Sequence, residues 1–272
     1  MKKLIPLLLF LVSMPTLAER QFDIEVIIFK RAIDAEKTSE SWPVSLPELD
    51  LSRAGEFSDS EFRDIKKVSM LPYGEYHLTD QVQSLKKHAG FDVLLHKAWR
   101  QGDQGRGSAP VFHIQAGSDY ATSFNPDGSE KIAFSEVSPV EGVIEESFDR
   151  PLYELEGKLQ IYVQHYLYAE TQLDLKSPSI RKVAFEETQL DDDFDVQQLE
   201  QNQPESGLVI SDTGKATVLA GNMENVSPTI TTEQYLKSYR MDQKRRMRST
   251  ETHYLDHPLL GIVIQVRRVE KG

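Results

Sequence analysis

The chain has 272 residues and no cysteine, and its 43 acidic against 31 basic residues give a formal net charge of −12 at pH 7. The absence of cysteine excludes disulfides, thiolate metal sites and cysteine nucleophiles. The negative charge argues against binding to nucleic acid, because an acidic surface repels phosphates. A chain of this length is nevertheless able to bury a core without disulfides.

The N-terminus has the three parts of a secretory signal peptide. Lys2 and Lys3 precede an apolar run over 4–12, and Ala18 ends a small-residue cleavage site. The apolar run is about half of the roughly 20 residues that a membrane-spanning helix requires. We therefore expect cleavage after Ala18, export to the periplasm, no integral membrane segment and a single mature domain over 19–272.

Hydrophobic periodicity predicts the first elements of this domain. Residues 22–29 alternate and then become wholly apolar, which indicates a strand that enters a sheet interior. The stretch 31–76 has little periodicity and is typical of a long surface excursion, with a short helix near 58–67. A helix is predicted over 78–90, with Thr79 as its N-cap.

Residues 91–99 and 111–115 are predicted to form a β-hairpin around the glycine-rich turn 102–107. Glycines at this spacing also occur in phosphate-binding loops, but such a loop opens a helix, whereas this one joins two strands. Further strands are predicted at 141–148 and 155–175. The second is expected to be one long strand near the sheet centre, because β-favouring residues place bulk on both of its faces.

The last third of the chain changes character twice. Residues 185–206 are rich in acidic and amide side chains, so we expect a mobile acidic loop. In 235–249 the apolar side chains share odd positions, which favours a strand over a helix. A turn at 254–258 and a strand at 261–266 follow. Strands outnumber helices and most connections are short, which predicts an α+β fold: a mainly antiparallel β-sheet with one or two packed helices and long loops.

No complete catalytic motif is present. Ser84 and Lys87 match the Ser-x-x-Lys pattern of penicillin-recognising enzymes, but the companion Lys-Thr-Gly is absent. His253, Asp256 and His257 form a dense imidazole–carboxylate cluster that is able to contribute to a zinc site. The proline after them favours a structural turn in which Asp256 accepts backbone N–H bonds. We expect no catalytic residue, no metal and no cofactor; a hydrolase or metal enzyme at this cluster stays the alternative.

Two polar sets are candidates for ligand binding. The first set is Trp99, Arg100 and Gln101. It places an amphipathic ring beside polar side chains, a combination able to stack on a sugar ring and bind its hydroxyls, although a half-buried Trp without a ligand is the commoner arrangement. The second set is Arg245, Arg246 and Arg248. Guanidinium groups in such a row recognise carboxylates and phosphates, although a charged edge strand that resists aggregation is an equal interpretation.

Three blocks of sequence occur in an order that is typical of one known family. They are 22–31 followed by Trp42-Pro43, then 94–101, then 245–249 continuing through 253–261. On these blocks the chain resembles the CsiV family of periplasmic peptidoglycan-binding proteins. The resemblance implies a non-enzymatic protein that binds peptidoglycan and supports a bifunctional penicillin-binding protein through its outer-membrane lipoprotein activator. A purely structural protein–protein adaptor remains a further alternative.

Overall fold

A computed structural model describes residues 20–131, 150–185 and 229–270. Within these ranges the chain has ten strands and two α-helices. The elements are β1 (Gln21–Arg31), β2 (Ala54–Gly55), α1 (Ser60–Lys66), β3 (Ser69–Met70), α2 (Thr79–Lys87), β4 (Phe91–Gly102), β5 (Val111–Asp119), β6 (Tyr153–Val163), β7 (Leu167–Phe185), β8 (Thr229–Met247), β9 (Thr252–Asp256) and β10 (Leu260–Arg268). Short 3-10 helices occur at Ala35–Lys37 and Tyr73–Glu75. The predicted fold class, α+β with mainly antiparallel strands, is confirmed.

The first sheet has the strand order β3-β4-β1-β10-β9, with β1 at its centre. Strand β1 pairs antiparallel with both neighbours, so that Ile24 lies opposite Trp99 on β4 and Val266 on β10. The strands predicted at 22–29, 91–99 and 261–266 are confirmed and meet in this sheet. The apolar character of 26–29 follows from this position, because a central strand is covered on both faces.

The second sheet has the order β2-β5-β6-β7-β8. Its β2–β5 pair is parallel, and β5, β6 and β7 pair antiparallel. The predicted hairpin of 91–99 with 111–115 is wrong, because β4 belongs to the first sheet and β5 to the second. The glycine-rich turn 102–107 therefore carries the chain from one sheet to the other.

The single strand predicted over 155–175 is also wrong, since β6 and β7 form a hairpin around residues 164–166. Val163 pairs with Leu167, and three residues lie between them in the turn. Paired residues therefore differ by an even number of positions, so the odd-numbered side chains are buried both before and after the turn and the pattern is that of one continuous strand. None of the three is Gly, Pro, Asn or Asp, the residues that usually indicate a turn. The expected central position is correct for the first half, because β6 is the middle strand of its sheet.

The two sheets pack face to face on a shared core. The first sheet contributes Ile24, Val26, Ile28, Trp99, Ile262 and Ile264, and the second contributes Phe112, Ile114, Leu159, Ile161, Leu173 and Met241. Strand β8 confirms the predicted alternation, with Tyr235, Tyr239, Met241 and Met247 all buried. Burial of such apolar surface is the main force that holds the two sheets together.

Helix α2 covers the opposite face of the first sheet. Its N-cap is Leu78, which has no side-chain cap, so the prediction of Thr79 at that position is wrong. The carboxylate of Glu25 on β1 instead holds the chain at the point where it enters the helix and accepts hydrogen bonds from the backbone N–H of His77 (2.7 Å) and Leu78 (2.8 Å). A side chain distant in sequence thus satisfies the backbone donors of the N-cap residue and of the residue before it.

The C-terminal turn is later than predicted. Residues 254–256 belong to β9, and the reversal occurs at 257–259, where the N–H of His257 donates to the carbonyl of Leu260 (3.1 Å). The described ends of β7 and β8, residues 180–185 and 229–233, belong to a unit separate from the rest of the described chain and are joined by an Arg181–Glu233 ion pair.

Several expectations concern residues that the structure does not describe. They are the signal peptide at 1–18, the strand at 141–148 and, apart from Phe185, the acidic loop at 185–206. Among the described residues, neither α-helix combines the length and the apolar character needed to cross a membrane.

Candidate functional site

The structure places the first predicted set in contacts within the fold. The Trp99 ring is fully buried (0% exposed), and its indole N–H donates to the side-chain oxygen of Gln101 (2.7 Å). The Gln101 amide donates in turn to the carbonyl of Ile161 on the other sheet (2.8 Å). Arg100 makes two hydrogen bonds to Asp23 (2.6 and 2.9 Å). Ligand contact by Trp99 or Gln101 would require the side chain to leave the core, and ligand binding by this set stays a prediction.

The histidine cluster near the C-terminus is divided between two environments. His257 packs against Trp42, with 5.3 Å between ring centroids, and its burial lowers the pKa of the imidazole. His253 lies beside the backbone of Arg248, whose N–H is 3.0 Å from the imidazole Nε2. Asp256 accepts from the Arg31 guanidinium and the Tyr254 hydroxyl rather than from the predicted backbone N–H groups. In the described parts of the chain, no group of three or more His, Asp or Glu is arranged to hold a metal ion.

The second predicted set leads to an exposed surface at the β6–β7 hairpin. On β8, Met247 is buried in the core and the neighbouring Arg246 is exposed. The guanidinium carbon of Arg246 lies 3.9 Å from the ring centroid of Tyr166, which is in the hairpin turn and 50% exposed. The Arg246 side chain forms no hydrogen bond or ion pair with another described residue. Its N–H donors are therefore available to a ligand while the ring holds the guanidinium in place.

Lys244 extends this arrangement along β8. Its ammonium nitrogen lies 5.2 Å from the ring centroid of Tyr168 and 5.8 Å from that of Tyr162. These two tyrosine rings stack on each other across the hairpin, with centroids 5.5 Å apart. Strand alternation explains the grouping, because every second residue of neighbouring strands shares one face. We name Tyr166, Tyr168, Lys244 and Arg246 the tyrosine–cation surface; Tyr162 is fully buried (0% exposed) and supports this surface through its contacts with Tyr168 and Lys244.

A carboxylate fixes one edge of the tyrosine–cation surface. Glu170 receives two hydrogen bonds from Arg106 (2.9 and 2.6 Å) and one from the Tyr162 hydroxyl (3.2 Å). The hydrogen bonds from Arg106 hold the pKa of Glu170 below its ordinary value. Glu170 therefore remains ionised at neutral pH and orients both Arg106 and Tyr162.

The structure separates the three arginines of the predicted row. Arg245 shares the odd parity of Met247 and leaves the strand on the side opposite to Arg246. Arg248 follows the end of β8 and lies 3.6 Å from Glu251. Only Arg246 of the row contacts the tyrosines. The sequence did not indicate Lys244 and the tyrosines as a group, because their proximity depends on the unrecognised hairpin at 164–166.

This geometry suits a polymer that carries both sugar rings and acidic groups. Exposed aromatic faces stack on the apolar faces of sugars, and guanidinium and ammonium groups bind carboxylates. The family model described as "Peptidoglycan-binding protein, CsiV" matches residues 3–269, nearly the whole chain. The chain belongs to the CsiV family of peptidoglycan-binding proteins, as the three sequence blocks predicted. No curated protein and no solved structure matches it significantly.

Proposed function

We propose that this chain is a non-enzymatic, exported protein that binds peptidoglycan in the periplasm through the tyrosine–cation surface. Family membership supports the choice of ligand. The main support for placing the binding site on this surface is the half-exposed Tyr166 ring, which has the Arg246 guanidinium 3.9 Å from its centroid. Such a pair presents an aromatic face and oriented hydrogen-bond donors at one point of the surface.

Electrostatics also favours this location. Peptidoglycan carries free carboxylates on its stem peptides, and the chain has a net charge of −12. An acidic protein attracts an anionic polymer only where cations are locally concentrated, and Lys244 and Arg246 provide such a place beside the tyrosines. Arg245 and Arg248 are both exposed and are proposed as weaker secondary contacts, Arg245 from the opposite side of β8. Each exposed contact is weak and screened by salt, so the affinity depends on several acting together.

Co-sedimentation with purified sacculi tests this site. We expect Tyr166→Ala and Arg246→Gln each to lower the bound fraction relative to wild type at low salt. Matched controls are Tyr73→Ala, which removes another exposed tyrosine (64% exposed), and Arg268→Gln, which removes another exposed arginine. Both controls should bind as wild type does. Equal binding of all four folded variants would show that the ligand contacts another surface.

The absence of enzymatic activity is tested in the same samples. Sacculi incubated with the wild-type protein should release no new fragments when the soluble products are separated and weighed by mass spectrometry. Release of muropeptides would instead identify a hydrolase. The periplasmic protein should begin at Glu19, and a mass that includes residues 1–18 would contradict cleavage after Ala18.

The proposed cellular role is that of an accessory factor for a bifunctional penicillin-binding protein and its outer-membrane lipoprotein activator. The family resemblance of the three sequence blocks supports this role. We expect the protein to raise the rate of glycan polymerisation when enzyme and activator are both present. No change in rate, with sacculus binding intact, would limit the function to binding.

A further inference from the structure

A polar cleft lies beside the tyrosine–cation surface. It has a volume of about 250 Å³, and the segment that precedes and includes the start of β2 borders it on one side. The opposite side is the face of the second sheet that points away from the core. The charged residues of its lining are Asp50, Arg53, Arg106, Lys158, Glu170 and Asp242.

Hydrogen bonds connect the lining of this cleft to the residues that support the tyrosine–cation surface. Arg106 and Glu170 line the cleft, and Glu170 also accepts the hydrogen bond from the Tyr162 hydroxyl. Asp242 of the cleft and Lys244 of the surface are two residues apart on β8 and therefore share the outward face of the second sheet.

Three charged groups of the cleft form hydrogen bonds to neutral groups and no direct ion pair with another described residue. Arg53 and Lys158 donate to the neutral carbonyls of Gly107 and Asp50, both at 2.7 Å. Asp242 accepts a hydrogen bond from the Gln172 amide (2.9 Å). None of these three groups lies within ion-pair distance of an opposite charge among the described residues. The Asp50 carboxylate, which accepts hydrogen bonds from Ser52, interacts with both cations at longer range, so the cleft offers two cations and two anions to a ligand.

The size of the cleft restricts what it is able to hold. Pockets that enclose drug-sized molecules measure about 300–1,000 Å³. A cleft of about 250 Å³ is too small for a disaccharide and suits a group of amino-acid size. Cations and anions in one small cleft complement a group that carries a carboxylate and an ammonium together. In peptidoglycan such a zwitterionic group belongs to the diamino acid of the stem peptide and not to the glycan.

We infer that the cleft binds the zwitterionic end of a stem peptide while the glycan lies on the tyrosine–cation surface. Asp242 would accept from the ammonium, and Arg53 and Lys158 would donate to the carboxylate. This inference rests on the proposed function and adds to it the part of the polymer that is recognised.

The contributions of the cleft and of the tyrosine–cation surface are distinguished by comparing the affinities for three soluble ligands. These are disaccharide–peptide fragments, glycan chains from which an amidase has removed the peptides, and free stem peptides. Affinities are measured by titration calorimetry with the full mature chain. We expect wild type to bind disaccharide–peptide fragments about 3- to 10-fold more tightly than the peptide-free glycan, as one or two partly exposed charged hydrogen bonds provide.

Variants of the cleft then test the assignment. Asp242→Asn and Lys158→Gln should lower the affinity for disaccharide–peptide fragments to the level of the peptide-free glycan and leave the affinity for that glycan unchanged. Asp64→Asn, the same charge change on the exposed side of α1, is the control and should bind all three ligands as wild type does. Circular dichroism and the melting temperature confirm that each variant is folded.

The outcomes distinguish this inference from the function on which it rests. If wild type binds peptide-free glycan and disaccharide–peptide fragments equally well, or if the cleft variants keep the preference for peptide, the stem-peptide site is wrong and glycan binding stands. If wild type binds none of the three ligands, the proposed function and this inference both fail.

Discussion

The two outward faces of the sheets use similar side chains in opposite ways. On the first sheet, Glu25, His96 and Arg267 lie beneath the segment that contains α2, and the Glu25 carboxylate is fully buried. On the second sheet, Arg246 and Lys244 lie over tyrosine rings at an open end of the strands. The cover over these groups decides their role: a covered ionic network stabilises the fold, whereas an open one remains available to a ligand.

The covered network depends on one carboxylate. Glu25 lies 2.8 Å from the imidazole of His96 and 3.0 Å from the guanidinium of Arg267, and it accepts the two backbone N–H bonds at the start of α2. Burial alone would raise the pKa of Glu25. The hydrogen bonds from His96, the two backbone N–H groups and Arg267 together outweigh burial and lower the pKa to about 2.

The largest expected effect is therefore on Glu25→Gln. The amide removes the charge, which leaves Arg267 partly buried without its counterion and weakens the hydrogen bonds at the start of α2. We expect the free energy of unfolding at pH 7 to fall by about 3–5 kcal/mol, as for other buried ion pairs that lose one partner. Urea denaturation measures this free energy, and Glu48→Gln, the same change at an exposed position, is the control. A loss below about 1 kcal/mol would show that the network contributes little.

Acid should remove the same stabilisation without a mutation. The pKa of Glu25 is about 2 in the folded chain against 4.5 as the ordinary value, so the unfolded chain binds the proton first. This pKa difference contributes about 3 kcal/mol to the free energy of unfolding, and the contribution is complete above pH 4.5 and is lost as the pH falls toward 2. The difference in unfolding free energy between wild type and Glu25→Gln should shrink over this range. A constant difference would exclude Glu25 as its source.

A smaller effect is expected where the two sheets are joined. Gln101→Met keeps the shape of the side chain but leaves the Trp99 indole N–H and the Ile161 carbonyl without their hydrogen-bond partner. We expect a loss of about 2 kcal/mol in unfolding free energy. Binding to sacculi should be unchanged in the folded variant. Reduced binding to sacculi at unchanged stability would show that Trp99, Arg100 and Gln101 contact the ligand.

The sequence predicted those features that depend on local pattern. The central strands β1, β4 and β10, helix α2 and the alternation in β8 follow from hydrophobic periodicity. The β6–β7 hairpin was missed because a three-residue turn preserves parity and 164–166 contains no turn-forming residue. The role of Glu25 was missed because its partners are at least 52 positions away in the chain. Both the tyrosine–cation surface and the hydrogen bonds of Glu25 at the helix start arise from pairings between distant segments, which periodicity does not contain.

The smallest expected change in stability is at the arginines of β8. Arg245 and Arg246 are adjacent, equally charged and both exposed, so each change to Gln should alter the unfolding free energy by less than about 0.5 kcal/mol. They differ in direction, because successive residues of a strand point to opposite faces. Arg246 meets the Tyr166 ring, and Arg245 has no such contact among the described residues.

Because Arg245 and Arg246 point to opposite faces, comparing their variants distinguishes a specific contact with the polymer from a general electrostatic attraction. If charge alone draws the polymer, Arg245→Gln and Arg246→Gln should weaken sacculus binding equally, and salt should abolish what remains. If the tyrosine–cation surface is the site, Arg246→Gln should lower the affinity about 3- to 5-fold more than Arg245→Gln, because it removes an oriented donor as well as a charge. Part of the wild-type binding should then survive at high salt, since stacking on Tyr166 does not depend on charge. Equal effects of the two variants would move the glycan contact away from the hairpin.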